Sequence, residues 1–493
     1  MKMADYLSHE NYQKRAELFW QKEVTALYEA EAGLSSSLSL TSVYAQYADL
    51  FTLQTVRNLV NLVRSGVVSP YLADFAVTRF LQNGIAELDE SLFSHLAQTT
   101  VRWQGQSIPF FASQGALANE KDREKRRTLH ASVTAVIGRT NVLRMNRWKQ
   151  VYELACSTGF ANYYTLYDEL RQLNLAQLRK LAQEILSETA EIYFQSLSAW
   201  SEQLIGTEKP HPADIPYLLR VAQFDGLFQY HDLQAILTTS TESMGINLAD
   251  YPGLEIDLTD RPTKSPRPFC AFVRVPDQIK LVARPIGGAS DFTAVFHELG
   301  HALHGLHTNP SLPFVARYVG DDSVGEAFAF LFENLTINPH WLTVYLGTHT
   351  YENYAEFARF KRLLFIRRYA AKLLYECQLH SGLLDYPAET YAKILSEHLG
   401  IDIRPEFYLF DLDDAFYTAQ YLRGWLLEAQ LRQKLEEQFG MHWFLSPHAG
   451  TFLQELWQFG QHLNADKLAI FLGYPGLETQ PLIADFQQQY HLA

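Results

Sequence analysis

Apolar residues recur at three- and four-residue spacing along most of the chain, the repeat that gathers them on one face of a helix. The stretch 11–33, NYQKRAELFWQKEVTALYEAEAG, keeps this pattern and stops at Gly33, and 41–66, TSVYAQYADLFTLQTVRNLVNLVRSG, stops likewise at Gly66. Further long helices are expected over 165–206, 351–382 and 416–440. The pattern changes over 254–286, where prolines punctuate two short β-prone runs, Phe269–Val275 and Gln278–Ala283. These predict a small ribbon or edge strands, so the fold class is mostly α with a minor sheet. No internal repeat or linker composition interrupts the chain, which reads as one unit, 1–493. The break at GTEKPHPAD suggests an approximate division near residue 200, into a helical region 1–200 and a second region 201–493.

Composition narrows the function classes. A chain of 493 residues with 47% hydrophobic and 19% charged residues is long enough to bury a sizeable core. Its net charge of −14 is spread without any basic block, which argues against nucleic acid as a partner. No apolar run is long enough to cross a bilayer, and MKMADYLSHENYQKR lacks the apolar core of a signal peptide. Cys156, Cys270 and Cys377 lie far apart with no paired spacing, so neither a disulfide framework nor a cysteine-based zinc site is expected. A cytoplasmic protein without a membrane partner is the expectation.

The chemistry concentrates in residues 296–307, FHELGHALHGLH. His297 and His301 sit four apart, so on a helix both imidazoles project from one face. Glu298 follows His297 directly. This is the HExxH arrangement, in which two neutral imidazoles bind zinc and the glutamate serves as general base. Zinc held by two histidines needs a third protein ligand and keeps a fourth position open. His307 lies at the third-ligand spacing of the metzincins, yet position 304 is His where that class turns on glycine. The only methionine after the motif, Met441, is also far downstream. Glu326, in DDSVGEAFAFLFENL, is the other candidate, on a second helix with Ser323 as N-cap and an apolar stripe through Phe328, Leu331 and Leu335. Ser323 and Glu326 also fit a capping box, in which Glu326 would only hold its own helix start.

The stretch FHELGHALH resembles the signature of the thimet oligopeptidase and oligopeptidase F family of zinc peptidases, where the motif reads HExGHxxH. GEAFAFLFEN resembles the following helix there, whose glutamate completes the site, and 266–304 resembles the ribbon leading into the motif. The chain is similar also to the carboxypeptidase Taq family and to the related angiotensin-converting enzymes. The resemblance implies a zincin-like helical peptidase of two lobes around a deep cleft, with one zinc per chain held by His297, His301 and Glu326. It implies Glu298 as base, and in DDAFYTAQYLRGWLLEAQL it implies Tyr421 as oxyanion donor with Tyr417 beside it. Short peptides are the implied substrates, and an edge strand within 269–275 could hold one by strand addition. Two departures bear on substrate preference. The family histidine nine or ten residues before the oxyanion tyrosine is absent, with Asp411 and Leu412 in that region, and Gly424 stands where a further tyrosine is common.

Other readings stay open. A Taq-type carboxypeptidase needs an anchor for a free C-terminus, for which Arg317 and Arg423 are candidates. A peptide-binding protein without turnover is a third reading, against which the intact Glu298 argues. His304 either supports a ligand or packs in the core. Glu333, two turns after Glu326, either orients a ligand histidine or faces solvent. Asp411, Asp413 and Asp414 read as caps for a helix starting near 415.

Overall fold

The computed structural model describes residues 9–35, 40–220, 222–347 and 351–487. Among the described residues the fold is mostly helical, 72% helix and 5% strand, with two small sheets. It packs as two compact units, each assembled from three stretches. Unit one is Met1–Ala76, Gln223–Ala355 and Arg423–Leu482; unit two is Val77–Ala222, Glu356–Leu422 and Ile483–Ala493. Residue 200 therefore falls inside unit two. Among the described residues no helix is long and apolar enough to cross a membrane.

In unit one, the prolines before Phe269 and after Val275 delimit a strand, Phe269–Arg274, that pairs antiparallel with Gln278–Val282. A third strand, Leu254–Asp257, joins parallel on the other side of Gln278–Val282. Phe269–Arg274 is thus an edge strand of its sheet. Its outer side is partly covered by the first helix, His9–Glu31, whose Trp20 indole donates to the Phe272 carbonyl at 2.9 Å. The ribbon leads into helix Ala289–His307, where Phe292, Val295, Phe296, Leu299 and Leu303 repeat at helical spacing and are fully buried. That stripe presses the helix into the core of the unit and fixes which face remains for chemistry.

In unit two, the longest helix, Arg123–Ser157, starts from Asp122, whose carboxylate accepts the backbone N–H groups of Glu124 and Lys125. A hairpin, Thr100–Trp103 with Gln106–Pro109, turns through Gln104 and Gly105 at φ 53° and 77°. Two left-handed residues in a row are what a two-residue hairpin turn requires.

Two expected helices are subdivided. The span 41–66 breaks into Leu40–Gln46, a short 3-10 turn, and Leu53–Arg64, because Thr52 is extended and caps the third piece through Thr55 N–H. The span 165–206 becomes Tyr163–Leu170, Leu175–Glu188 and Ala190–Ile205. Its first break falls where Gln172 and Asn174 are left-handed and Asp168 accepts the Leu175 N–H at 2.8 Å. Helices Glu352–His380 and Tyr417–Phe439 run unbroken near their expected bounds.

Candidate metal centre

Two helices of unit one carry the site. The first, Ala289–His307, follows Gly287 and Gly288, both at φ 100°. Asp291 in its first turn accepts the Ile286 and Gly287 N–H groups at 2.5 and 2.7 Å, ordering the entry. The second, Asp322–Leu335, is capped by Asp321, which accepts the Ser323 N–H at 3.0 Å. The cap is therefore Asp321, not Ser323, and no Ser323–Glu326 capping box forms. Asp321 is fully buried and braced by Arg423 Nη2 at 2.9 Å and Ala465 N–H at 2.9 Å, which hold its carboxyl below the usual range despite burial. The helices cross closely at Gly300, where an added Cβ would lie 2.5 Å from the Phe328 carbonyl oxygen.

This crossing brings Glu326 to the two histidines. His297 Nε2 lies 3.5 Å from Glu326 Oε2, and His301 Nε2 lies 3.9 Å from Glu326 Oε1. One ligand atom from each of the three residues lies within 4.8 Å of the others. Two imidazole nitrogens and one carboxylate oxygen at this spacing form a donor set that fits a divalent transition metal and leaves room for a fourth ligand. His297 Nδ1 is bonded to Glu333 Oε2 at 2.8 Å, which turns Nε2 toward Glu326, the support a ligating imidazole needs. Glu333 thus orients a histidine.

Electrostatics separates the two imidazoles. Burial pushes His301 well below its usual value, aided by His297 and His304, so it is neutral. Burial also lowers His297, but the Glu333 hydrogen bond and the charges of Glu333, Glu326 and Glu298 outweigh it and lift the imidazole to about 9. Ligation requires the neutral form, so metal uptake is linked to loss of that proton. Burial raises the Glu298 carboxyl, opposed by His297 and by a hydrogen bond from the Cys270 backbone. A carboxyl moved toward neutrality is suited to accept and return a proton.

The remaining candidates fall into place around this group. His307 is not part of it. Its Nδ1–H donates to the Leu303 carbonyl at 2.8 Å, Nε2 accepts the Tyr251 hydroxyl at 2.9 Å, and the ring packs on Trp457. His304 packs in the core against Phe328 with a hydrogen bond to the Gly460 backbone, and burial lowers it to about 4. Arg317 is spent on both oxygens of Glu17, at 2.8 and 2.7 Å, and Arg423 on Asp321 and Asp466. At Gly424 a Cβ would stand 3.0 Å from Glu326 Cβ and 3.3 Å from the Ser323 carbonyl oxygen. A tyrosine there would displace the ligand helix, which accounts for the glycine.

Tyr417 and Tyr421 belong to unit two. They are half-buried, with ring centroids 4.7 Å apart, and Tyr421 stacks on Tyr369 at 5.4 Å. The turn before them is strained, with Ala415 and Phe416 left-handed at φ 57° and 53°. Asp411, Asp413 and Asp414 do not cap the helix by side chain but form ion pairs with Arg368, Lys372 and Arg147. These pairs clamp the turn that presents the tyrosines. Of the residues that pattern reading missed, Tyr251 acts through His307, more than fifty residues away, and Asp321 is braced by Arg423 and Ala465, farther still. Asp321 does sit at a readable N-cap position two residues before Ser323. Comparison of the chain with known protein families and with curated proteins finds no match.

Proposed function

We propose that this chain is a zinc-dependent peptidase that cleaves short peptides internally. The observation that carries the proposal is the convergence of His297, His301 and Glu326, with Glu298 next to the first of them and its carboxyl raised by burial. His297, His301 and Glu326 would hold the metal, which when bound supplies the charge that polarises a carbonyl and acidifies a water. Glu298 takes the proton of the attacking water and returns it to the leaving amine. Tyr421 donates to the oxyanion with Tyr417 in support, the roles that the oligopeptidase resemblance implies. That resemblance also implies a zincin-like cleft between two lobes, where an extended peptide enters and a folded domain does not. A peptide adding along Phe269–Arg274 would share that edge with Trp20, which already occupies the Phe272 carbonyl. Internal cleavage is favoured over carboxypeptidase action because Arg317 and Arg423 are both committed to carboxylates of the chain itself. A reducing, cytoplasmic setting is supported by the exposed, unpaired Cys156 thiol.

The test is a mixed peptide library read by mass spectrometry, for the zinc-loaded chain and for Glu298→Gln. The wild-type chain should cut peptides several residues from both ends. The variant should retain one zinc per chain and lose nearly all hydrolysis. Absence of cleavage by the zinc-loaded wild type, or substantial hydrolysis by Glu298→Gln, would overturn the reading.

A further inference from the structure

Among the described residues, the buried arginines Arg126, Arg423 and Arg367 are neutralised or saturated, and Arg144 in unit two is not. Arg126 is paired with Asp214 at 2.7 Å, and Arg423 with Asp321 and Asp466. Arg367 has no carboxylate, but its nitrogens donate to the carbonyls of Leu186 and His398 and to the Thr189 hydroxyl. Arg144, on helix Arg123–Ser157, is only 4% exposed and has neither solution. Its Nη1 donates to Thr140 Oγ1 at 2.6 Å and reaches the Ile137 carbonyl at 3.5 Å. Among the described residues Nε and Nη2 have no acceptor, and no carboxylate pairs with the guanidinium. Glu406, the acid of the facing segment, turns Oε1 to Arg404 at 3.5 Å and keeps Oε2 buried without a hydrogen-bond partner, and neither oxygen is bonded to Arg144.

The vacant edge has a definite shape. The Phe410 ring covers one face of the guanidinium, with 4.9 Å from the central carbon to the ring centroid. Nη1 is occupied, so an incoming group must approach in the plane, at Nε and Nη2. Those two N–H groups are parallel and spaced for the two oxygens of a carboxylate. Burial with no acidic neighbour pulls the guanidinium down to about 10, which still leaves it charged at neutral pH. One turn away, Asn141 donates to the Glu406 carbonyl at 2.8 Å and keeps a buried Oδ1 without a partner. That is a second polar atom left unsatisfied on this side of the helix.

We propose that Arg144 is a carboxylate-binding site, engaging the ligand through Nε and Nη2 under the Phe410 ring. The site belongs to unit two and does not depend on the peptidase reading. Its source is either a free carboxylate or the C-terminus of a peptide.

The experiment titrates the full-length chain with sodium acetate against sodium chloride at constant ionic strength, reading the thermal midpoint and calorimetric heat. The wild-type midpoint should rise with acetate and saturate as one site. Chloride should act more weakly, since one atom cannot meet both donors. Arg144→Gln should lose the acetate increment, whereas Arg139→Gln, exposed on the same helix, should keep it. The difference between chains is the readout, so acetate held elsewhere cancels. Arg144→Lys, which keeps the charge and loses the fork, should bind acetate about ten-fold more weakly, and it serves if the glutamine variant does not fold. A peptide pair with free and amidated C-termini separates the sources. Tighter binding of the free acid that vanishes in Arg144→Gln assigns a peptide terminus, and an acetate response without that preference assigns a free carboxylate. Equal acetate responses in wild type and Arg144→Gln, or no saturable acetate binding by the wild type, would overturn the proposal.

Discussion

Gly300 offers the sharpest test of how the two site helices are held. It lies between His297 and His301 on the first helix, and an added Cβ would stand 2.5 Å from Phe328 O, 2.7 Å from Ala329 Cα and 3.0 Å from Ala329 N. Ordinary contact begins at 3.4 Å, so the shortest approach is 3.4 − 2.5 = 0.9 Å too close. All three atoms are backbone, so no side chain can swing aside and the helices themselves must part. In Gly300→Ala, alanine gains about 1 kcal/mol in helix propensity over glycine. Overpacking of this kind costs about 1–3 kcal/mol, and against backbone the upper part of that range applies. The net loss should therefore be about 1–2 kcal/mol, and a chain of this size loses roughly 1–2 °C of thermal midpoint per kcal/mol.

The larger effect should be on the metal. Ligand distances tolerate about 0.2 Å, and the crossing at Gly300 sets the distance from both histidines to Glu326. Zinc affinity, measured by competition with a chromogenic chelator, should fall about 10–100-fold. Gly325→Ala is the control on the facing helix. There the nearest atoms to a Cβ are Gln461 Nε2 at 3.7 Å and His301 Nδ1 at 3.8 Å, both ordinary contacts. That variant should gain up to about 1 kcal/mol and bind zinc normally. Wild-type zinc affinity in Gly300→Ala, or equal damage from both substitutions, would refute the argument from the crossing.

Further outcomes follow from the same geometry. Glu326→Gln should lose most of its zinc by metal analysis while His307→Ala keeps it, and the reverse would return His307 to the ligand set. Tyr421→Phe should lower kcat by about 10²–10³-fold with little change in KM, as removal of one oxyanion donor does, and Tyr417→Phe should cost less. An unchanged kcat in Tyr421→Phe would show that another group meets the oxyanion. In unit two, burial lifts the Glu376 carboxyl from 4.5 to about 7 against the opposing charge of Lys372. Between those values the unfolded chain gives up this proton more readily than the folded one, so Glu376 costs stability increasingly as pH rises from 4.5 to about 7. The thermal midpoint of Glu376→Gln relative to wild type should therefore climb between about pH 4.5 and about pH 7 and then level off, and a constant difference would refute the assignment.

The grouping of His297, His301 and Glu326 is legible because it depends on local rules. His297 and His301 share a helix face by spacing alone, and the apolar stripe around Glu326 marks a second helix. The ribbon was legible through its flanking prolines. What escaped depends on partners distant in sequence. The acids Asp411, Asp413 and Asp414 look like caps, yet Arg368, Lys372 and Arg147 claim them from other helices. Arg317 and Arg423 look like free anchors, yet Glu17 and Asp321 neutralise them across 300 and 102 positions. Strand Leu254–Asp257 lacks a hairpin partner next to it and pairs parallel across a proline-rich excursion, which periodicity does not reveal. The hairpin at Thr100–Pro109 carried a signal in Gln104–Gly105, though glutamine is a weak marker for a left-handed turn.

That the unit carrying His297, His301 and Glu326 is written in three separated stretches has a consequence for its biosynthesis. The chain leaves the ribosome N-terminus first, at about 5–20 residues per second. The first helix must wait for Phe272 before Trp20 finds its acceptor. The histidine helix and Glu326 then emerge well before Arg423 and Ala465, the groups that brace Asp321 and with it the start of the ligand helix. At those rates Ala465 follows Glu326 by roughly 7–28 s. For that interval His297, His301 and Glu326 exist on a chain whose helix cap, Asp321, lacks its full bracing. Stable metal loading is therefore expected only after the last stretch has been made. A chain ending before Arg423 should contain every donor and still bind zinc weakly.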